Sequence, residues 1–376
     1  MIETDSKTSI IYFLLLMDAA IMVLGMFMPI SNYNGIFNGI YCILILLFLR
    51  NNAGYWLFCI ASGIFFYLVS KHSLYGIFDF FTISLVLGCL IIFTQKNIAE
   101  KDLKKIQNIY ILFYTINLFL LLVPSYYASL EHRFQGIFRT VNLSVSVMSL
   151  LGIASWELEK NLNSHTRTKL LIYNFIGLGI LIFATRTRTL LFLIPYWLLQ
   201  TYKFSDKRIF SFILFIAMLI FGQTIYESIS DRMNFSGDKS TATRASIYEV
   251  LIKRILKNYV VIPHGSNESY LYIQKFTRNP NYSSHNDFLR YLYDWGIYFI
   301  VFIGYLIRLF AKNVRLNLEV YLLILAYVPI ALHNLLFLPI TWIPFCLILH
   351  LHPKQYEDDE LESTEDYNLS SQTIID

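Results

Sequence analysis

Four residues of this 376-residue chain are candidates for chemistry at one site: Arg186, Arg188, Arg244 and His285. Arg186 and Arg188 stand in the turn Thr185-Arg186-Thr187-Arg188-Thr189, between two apolar runs. An arginine beside hydrocarbon is costly unless it pairs or contacts an anion, so this turn reads as an anion site. The structural alternative is a pair of arginines snorkelling to lipid phosphates. Residues i and i+2 do not share a helical face, so one of the two points into a cavity, and Arg186 is preferred. Arg244 opens an amphipathic stretch, where its alternative is a solvated residue. The histidine side chain is the one whose unperturbed charge change falls near neutral pH, so His285 at a helix N-terminus could act as a base or bind phosphate oxygens. Its alternative is an exposed interfacial histidine. His264, in a turn, is a weaker candidate, as are Lys253 and Arg254. Asp18 and Asp79 lie inside apolar runs, where carboxylates pair or line a wet cavity. His333-Asn334 could help line a site.

The elements that must position these residues are membrane helices. Charged residues make up 15% of the chain and apolar ones 56%, with mean hydropathy +0.52, which excludes an ordinary soluble domain. A span needs about 20 apolar residues, with shorter ones possible. Segments 9–29, 35–49, 53–70, 75–94, 107–124, 138–156, 169–185, 188–202, 208–226, 292–311, 318–334 and 336–350 fit. The last two could be a single span plus a re-entrant piece. The first run lacks a small-residue cleavage site and reads as a retained helix. Cys42, Cys59, Cys89 and Cys346 all fall in apolar runs without metal or disulfide spacing and read as small apolar fillers.

Lysine and arginine orient the set. With the N-terminus in the cytoplasm, the basic loops around Arg50, Lys96–Lys105, Lys160–Lys169, Lys203–Arg208 and Lys312–Arg315 are cytoplasmic. The opposite short loops hold only Lys71, Arg133, Arg186 and Arg188. The expected fold is therefore an all-α integral membrane protein of about twelve transmembrane helices. It divides into spans one to nine (1–226), a periplasmic polar loop (227–291), spans ten to twelve (292–350) and an acidic, disordered cytoplasmic tail (351–376).

Within the loop, Ile247, Val250, Leu251 and Ile255 fall on one face of a helix from about Thr243 to Lys257. Arg244, Glu249, Lys253 and Lys257 fall elsewhere, so the helix is expected at the membrane surface. Pro263-His264-Gly265-Ser266-Asn267 and Asn279-Pro280-Asn281 mark turns. Ser283 or Ser284 is the expected cap of a helix that begins near His285 and runs into the tenth span.

Three motifs on this side then form a recognisable order. His285-Asn286-Asp287-Phe288-Leu289-Arg290-Tyr291-Leu292-Tyr293-Asp294-Trp295-Gly296 resembles the H-N-x-x-L-x-x-L-x-x-x-G segment of the O-antigen ligase and polymerase superfamily. Ala184–Leu190 resembles that family's S-R-x-x-L-type turn, with Thr185 where Ser or Gly is usual and Arg188 as a second arginine. Thr243–Tyr248 resembles its R-x-x-x-[WY] helix opening, followed by a Pro/Gly turn. The resemblance implies a membrane glycosyltransferase that uses a glycan on undecaprenyl pyrophosphate, at the outer face of the bacterial inner membrane. Arg186 or Arg188, with Arg244, would bind the pyrophosphate, and His285 would activate the acceptor hydroxyl, with inversion at the anomeric carbon. No cofactor or metal is implied. The chain has no Walker A, HExxH, GxSxG or paired Cys/His motif. Partners are the lipid-linked oligosaccharide, membrane lipids and, as an open candidate, a chain-length regulator; nucleic acid is not among them.

The leading expectation is a polymerase of lipid-linked repeat units. The chain's Tyr/Phe/Ile/Asn-rich composition, without a marked basic acceptor patch, favours it over an O-antigen ligase that transfers glycan to lipid A-core. A flippase would spread charge through the midplane of two comparable halves, whereas here the candidate residues gather on one face and in one asymmetric loop.

Overall fold

The computed structural model describes residues 2–28, 34–71, 73–95, 98–127, 134–136, 138, 140–162, 167–185, 187–204, 239–257, 262–278, 286–331 and 336–353. In chain order the helices are α1 Ile2–Phe27, α2 Asn34–Phe48, α3 Ala53–Val69, α4 Ser73–Gln95, α5 Glu100–Leu120, α6 Val141–Asn161 and α7 Arg167–Thr185. A 3-10 turn, Arg188–Leu193, leads into α8 Ile194–Phe204. Then come α9 Lys239–Lys257, α10 Glu268–Thr277, α11 Asp287–Trp295, α12 Ile297–Asn313, α13 Leu318–Ala331 and α14 Pro339–His350. Among the described residues there is no strand, only the isolated bridges Tyr127–Phe134 and Val314–Pro353. The expected span 208–226, the Asn279-Pro280-Asn281 turn, His333-Asn334 and the tail beyond Pro353 lie outside the described residues.

The all-helical expectation holds, in a coarser form than twelve spans. Among the described residues three helices are long and apolar enough to cross a membrane: Leu74–Thr94, Val141–Asn161 and Arg167–Thr185. Ile11–Phe27, Gly35–Phe48, Ala53–Val69, Leu318–Val328 and Pro339–His350 are apolar but shorter. The 12 residues of α14 reach about 18 Å, against a hydrocarbon core about 30 Å thick. Its apolarity has another cause. Every residue from Pro339 to Leu349 is buried, and the helix packs on α1, α4 and α6, so it is apolar all round because protein surrounds it.

α6 is the other inner helix, between α5, α7 and α14. It buries Ser146, Ser149 and Ser155 by returning each hydroxyl to a carbonyl of its own helix. Carboxylates inside the bundle are paired. Tyr41 Oη donates to Asp18 at 2.8 Å, and Trp295 Nε1 donates to Asp79 at 2.8 Å. At the far end of α6, Glu157 meets Tyr196, Lys160 (2.7 Å) and His352 (3.2 Å). Glu319 meets Lys160, Gln200 and Lys203 (3.4 Å). Two lysines of the basic rim are thus engaged by internal acids.

Candidate functional site

The segment after His285 folds as a short, heavily anchored helix. Asn286 caps α11: its Oδ1 accepts the Leu289 N–H at 3.1 Å. This corrects the expected cap at Ser283 or Ser284, since the helix begins two residues beyond His285. A second correction concerns its end. α11 stops at Trp295, and Gly296, at φ 55°, ψ −133°, separates it from α12. That backbone lies where a side chain is strained, so glycine punctuates what hydropathy presents as one run.

Asp287, Arg290 and Asp294 project from one face of α11 at i, i+3 and i+7; both acids are buried and Arg290 is partly so. Asp287 Oδ2 accepts the Leu336 N–H at 2.8 Å, holding the approach to α14. Asp294 accepts the Ser269 N–H at 2.7 Å and the Ser269 hydroxyl at 3.0 Å, holding α10. Arg290 lies between them, 3.9 Å from each carboxylate. Burial pushes the Asp287 carboxyl up to about 6, partly offset by Arg290 and the Leu336 amide. Burial pushes Asp294 further, to about 7, again opposed by Arg290 and reinforced by the Asp79 charge. Motif reasoning passes over these three residues as filler; the acid–base–acid spacing is the signal that marks them.

The turn before α10 closes the other end of α11. The His264 and Gly265 N–H groups donate to Tyr293 O (3.3 Å) and Asp294 O (3.0 Å). The His264 ring stacks on Tyr293 with centroids 3.9 Å apart, and its Nδ1 lies 3.1 Å from Tyr293 O. Desolvation holds the imidazole below its usual range, so His264 is a neutral structural group. Ser70 donates to Ser266 at 2.7 Å and Lys71 pairs with Glu268 at 3.1 Å, which ties this turn to the end of α3. Gly265 is essential to the fit. It sits at φ 111°, and a Cβ there would stand 3.0 Å from Val69 O. Gly265→Ala is expected to cost about 1–3 kcal/mol, read as a lower melting temperature of the purified protein; an unchanged melting temperature would contradict this packing.

α9 packs on α11 as well. Ile247, Leu251 and Ile255 are buried with Ile273 and Tyr293. The apolar face expected from the sequence is therefore real, but it is covered by protein rather than lying wholly against lipid. Arg254 stacks over Tyr272 at 4.3 Å and donates to Tyr293 Oη at 3.3 Å, so it clamps α10 and α11.

The sequence-predicted site residues fall as follows. Arg186 and His285 lie outside the described residues. Arg188 opens the 3-10 turn, and Arg244 lies in α9; their side chains are likewise outside the description. The structure brings α9 onto α11. The 3-10 turn packs on α13, and Tyr327 of α13 bonds Leu336 O, the residue whose N–H Asp287 holds. Asp18 and Asp79 are structural partners of Tyr41 and Trp295. Among the described residues no His, Cys, Asp and Glu cluster could hold a metal ion.

Spanning-length helices with internally paired polar groups define a helical membrane protein. Residues 173–306 are similar to the family model described as O-antigen ligase, a match that supports the resemblance to the O-antigen ligase and polymerase superfamily. The match runs from α7 to α12 and contains Arg186, Arg188, Arg244 and His285. No curated protein and no solved structure matches the chain.

Proposed function

We propose that this protein is a polymerase of lipid-linked oligosaccharide repeat units of an O-antigen or similar surface polysaccharide, working at the periplasmic face of the inner membrane with both termini cytoplasmic. The observation that carries the reading is the packing of α9, the helix of Arg244, on α11, whose cap adjoins His285, both inside the matched segment. The donor is a glycan on undecaprenyl pyrophosphate. The acceptor hydroxyl attacks the anomeric carbon from the face opposite the pyrophosphate and gives its proton to His285, while the carbon–oxygen bond to the pyrophosphate breaks with its electron pair. Arg244 with Arg186 or Arg188 stabilises the charge that grows on that leaving group, the task a metal ion performs in other transferases.

The similarity to the O-antigen ligase family supports a second reading, a ligase that places glycan on lipid A-core. Deletion of the gene followed by gel analysis of surface glycan separates them. A single repeat on lipid A-core is the expected result. Long lipid-linked chains with none attached to the core would make the protein a ligase, and units trapped at the cytoplasmic face would make it a flippase.

A further inference from the structure

A cavity of about 440 Å³ opens at the end of the bundle where α4, α6, α12 and α14 finish and α5 begins. The C-terminal ends of four helix dipoles therefore surround it, and each such end is partly negative. Among the described residues its polar lining side chains are Thr94, Glu100, Asn161, Asn313 and His350; Phe93 and Leu349 contribute to an apolar wall. From Asp79, which holds Trp295 beside the candidate site, to Phe93 α4 rises about 21 Å, so the cavity is separate from that site.

The hydrogen bonds of these side chains decide what the cavity can hold. A backbone carbonyl only accepts, so a side-chain atom bonded to one must be a donor. Asn161 Nδ2 donates to Glu157 O at 2.8 Å, and Asn313 Nδ2 donates to Leu309 O at 2.9 Å. Each amide keeps its Oδ1. Thr94 gives its hydroxyl proton to Leu90 O at 2.7 Å, and His350 turns Nδ1–H to Phe93 O. The threonine oxygen keeps its lone pairs, and the imidazole keeps Nε2 as the acceptor of the neutral ring. Glu100 forms no ion pair among the described residues, whereas Asp102, in the same turn, holds Lys105 at 3.2 Å. All five polar side chains thus offer acceptors, and none offers a donor.

An acceptor-only lining at four partly negative helix ends calls for a ligand that is positive and carries N–H donors. The volume lies within the range of small-molecule sites, about 300–1,000 Å³, and the apolar wall suits a short carbon chain. We propose that this cavity binds a primary ammonium ligand, either the head group of an aminolipid or a soluble polyamine. On the orientation proposed above the site faces the cytoplasm, and it is independent of the polymerase reading.

The test titrates the full chain, in a neutral maltoside detergent, with spermidine and with tetramethylammonium by calorimetry. Spermidine should bind saturably at one site per chain. Tetramethylammonium carries the charge without an N–H and should bind about tenfold more weakly or worse. Glu100→Gln and Asn161→Leu, both at exposed positions, should each weaken spermidine binding, the first by about tenfold for the loss of a charge-assisted hydrogen bond. The comparison of the two cations needs only the wild type, so it decides the matter even where a variant fails to fold. Native mass spectrometry of protein extracted from bilayers of phosphatidylethanolamine and phosphatidylglycerol separates the two sources. Retained phosphatidylethanolamine that spermidine displaces assigns the site to a lipid head group, and spermidine binding without a retained lipid assigns it to a soluble amine. Equal affinity for the two cations, wild-type spermidine affinity in both variants, or no saturable spermidine binding would each overturn the proposal.

Discussion

His285→Ala is expected to stop chain extension, lowering turnover by about 10²–10⁴, the range removed with a general base. The protein should remain inserted and its melting temperature close to that of the wild type. The helix after His285 does not depend on the imidazole, because Asn286 caps it and Asp287 and Asp294 pin both of its ends. Arg244→Ala and Arg186→Ala are expected to cost about 10²–10³ each, as for removal of one group that stabilises leaving-group charge. Arg188→Ala should cost less if, as proposed, Arg186 is the arginine that faces the pyrophosphate. The measurement is repeat addition by purified protein with defined lipid-linked substrate, beside the glycan ladder in cells. Wild-type ladders from His285→Ala, Arg186→Ala and Arg244→Ala together would remove the glycosyltransferase assignment from this motif.

Periodicity and motif order make part of this arrangement legible. Ile247, Leu251 and Ile255 are readable as one apolar face from spacing alone, and they are buried. Spacing does not say what buries them, because a face covered by Tyr293 and Ile273 has the same pattern as one covered by lipid. The same ambiguity bears on α14. Hydropathy scores α14 as membrane-like, yet its apolar residues pack on α1, α4 and α6 over only 12 residues. Hydropathy also starts the tenth span at 292, because the run from Leu292 to Ala311 is apolar apart from Asp294 and Arg308. Gly296 breaks that run through backbone conformation, to which hydropathy is blind. Asp79 is readable as a carboxylate that needs a partner, but Trp295 stands 216 positions away and only the fold joins them.

Arg290→Met should be the most damaging change in the described part of the site, costing about 3 kcal/mol, near the lower end for a buried ion pair stripped of one member. The lower end applies because the Arg290 side chain keeps 28% exposure and stands 3.9 Å from each acid. Removing it leaves two buried carboxyls without their cation, and both then bind protons more tightly. The sign of the pH effect follows. In the folded protein Asp287 is raised to about 6 and Asp294 to about 7, mainly by burial, against about 3.9 in an unfolded chain. Between those limits the folded state holds more protons, so this contribution to stability is full below about pH 4 and is lost as pH rises through 6 to 7. The wild-type melting temperature should therefore fall from pH 5 to 8, and in Arg290→Met the fall should be steeper. Asp294→Asn keeps an acceptor for the Ser269 N–H and removes the charge, so it should flatten the profile. In the Arg290→Met background the same substitution should restore part of the lost stability, a coupling that independent sites do not show. A double variant as unstable as the sum of the singles, with a flat wild-type profile, would mean that Arg290 does not hold these acids. On the proposed mechanism the coupling bears on activity, because Asp287 and Asp294 anchor α11, the helix that follows His285 in the sequence. Loss of activity in Arg290→Met should accordingly track its loss of stability and recover with it in the double variant, whereas His285→Ala should lose activity alone.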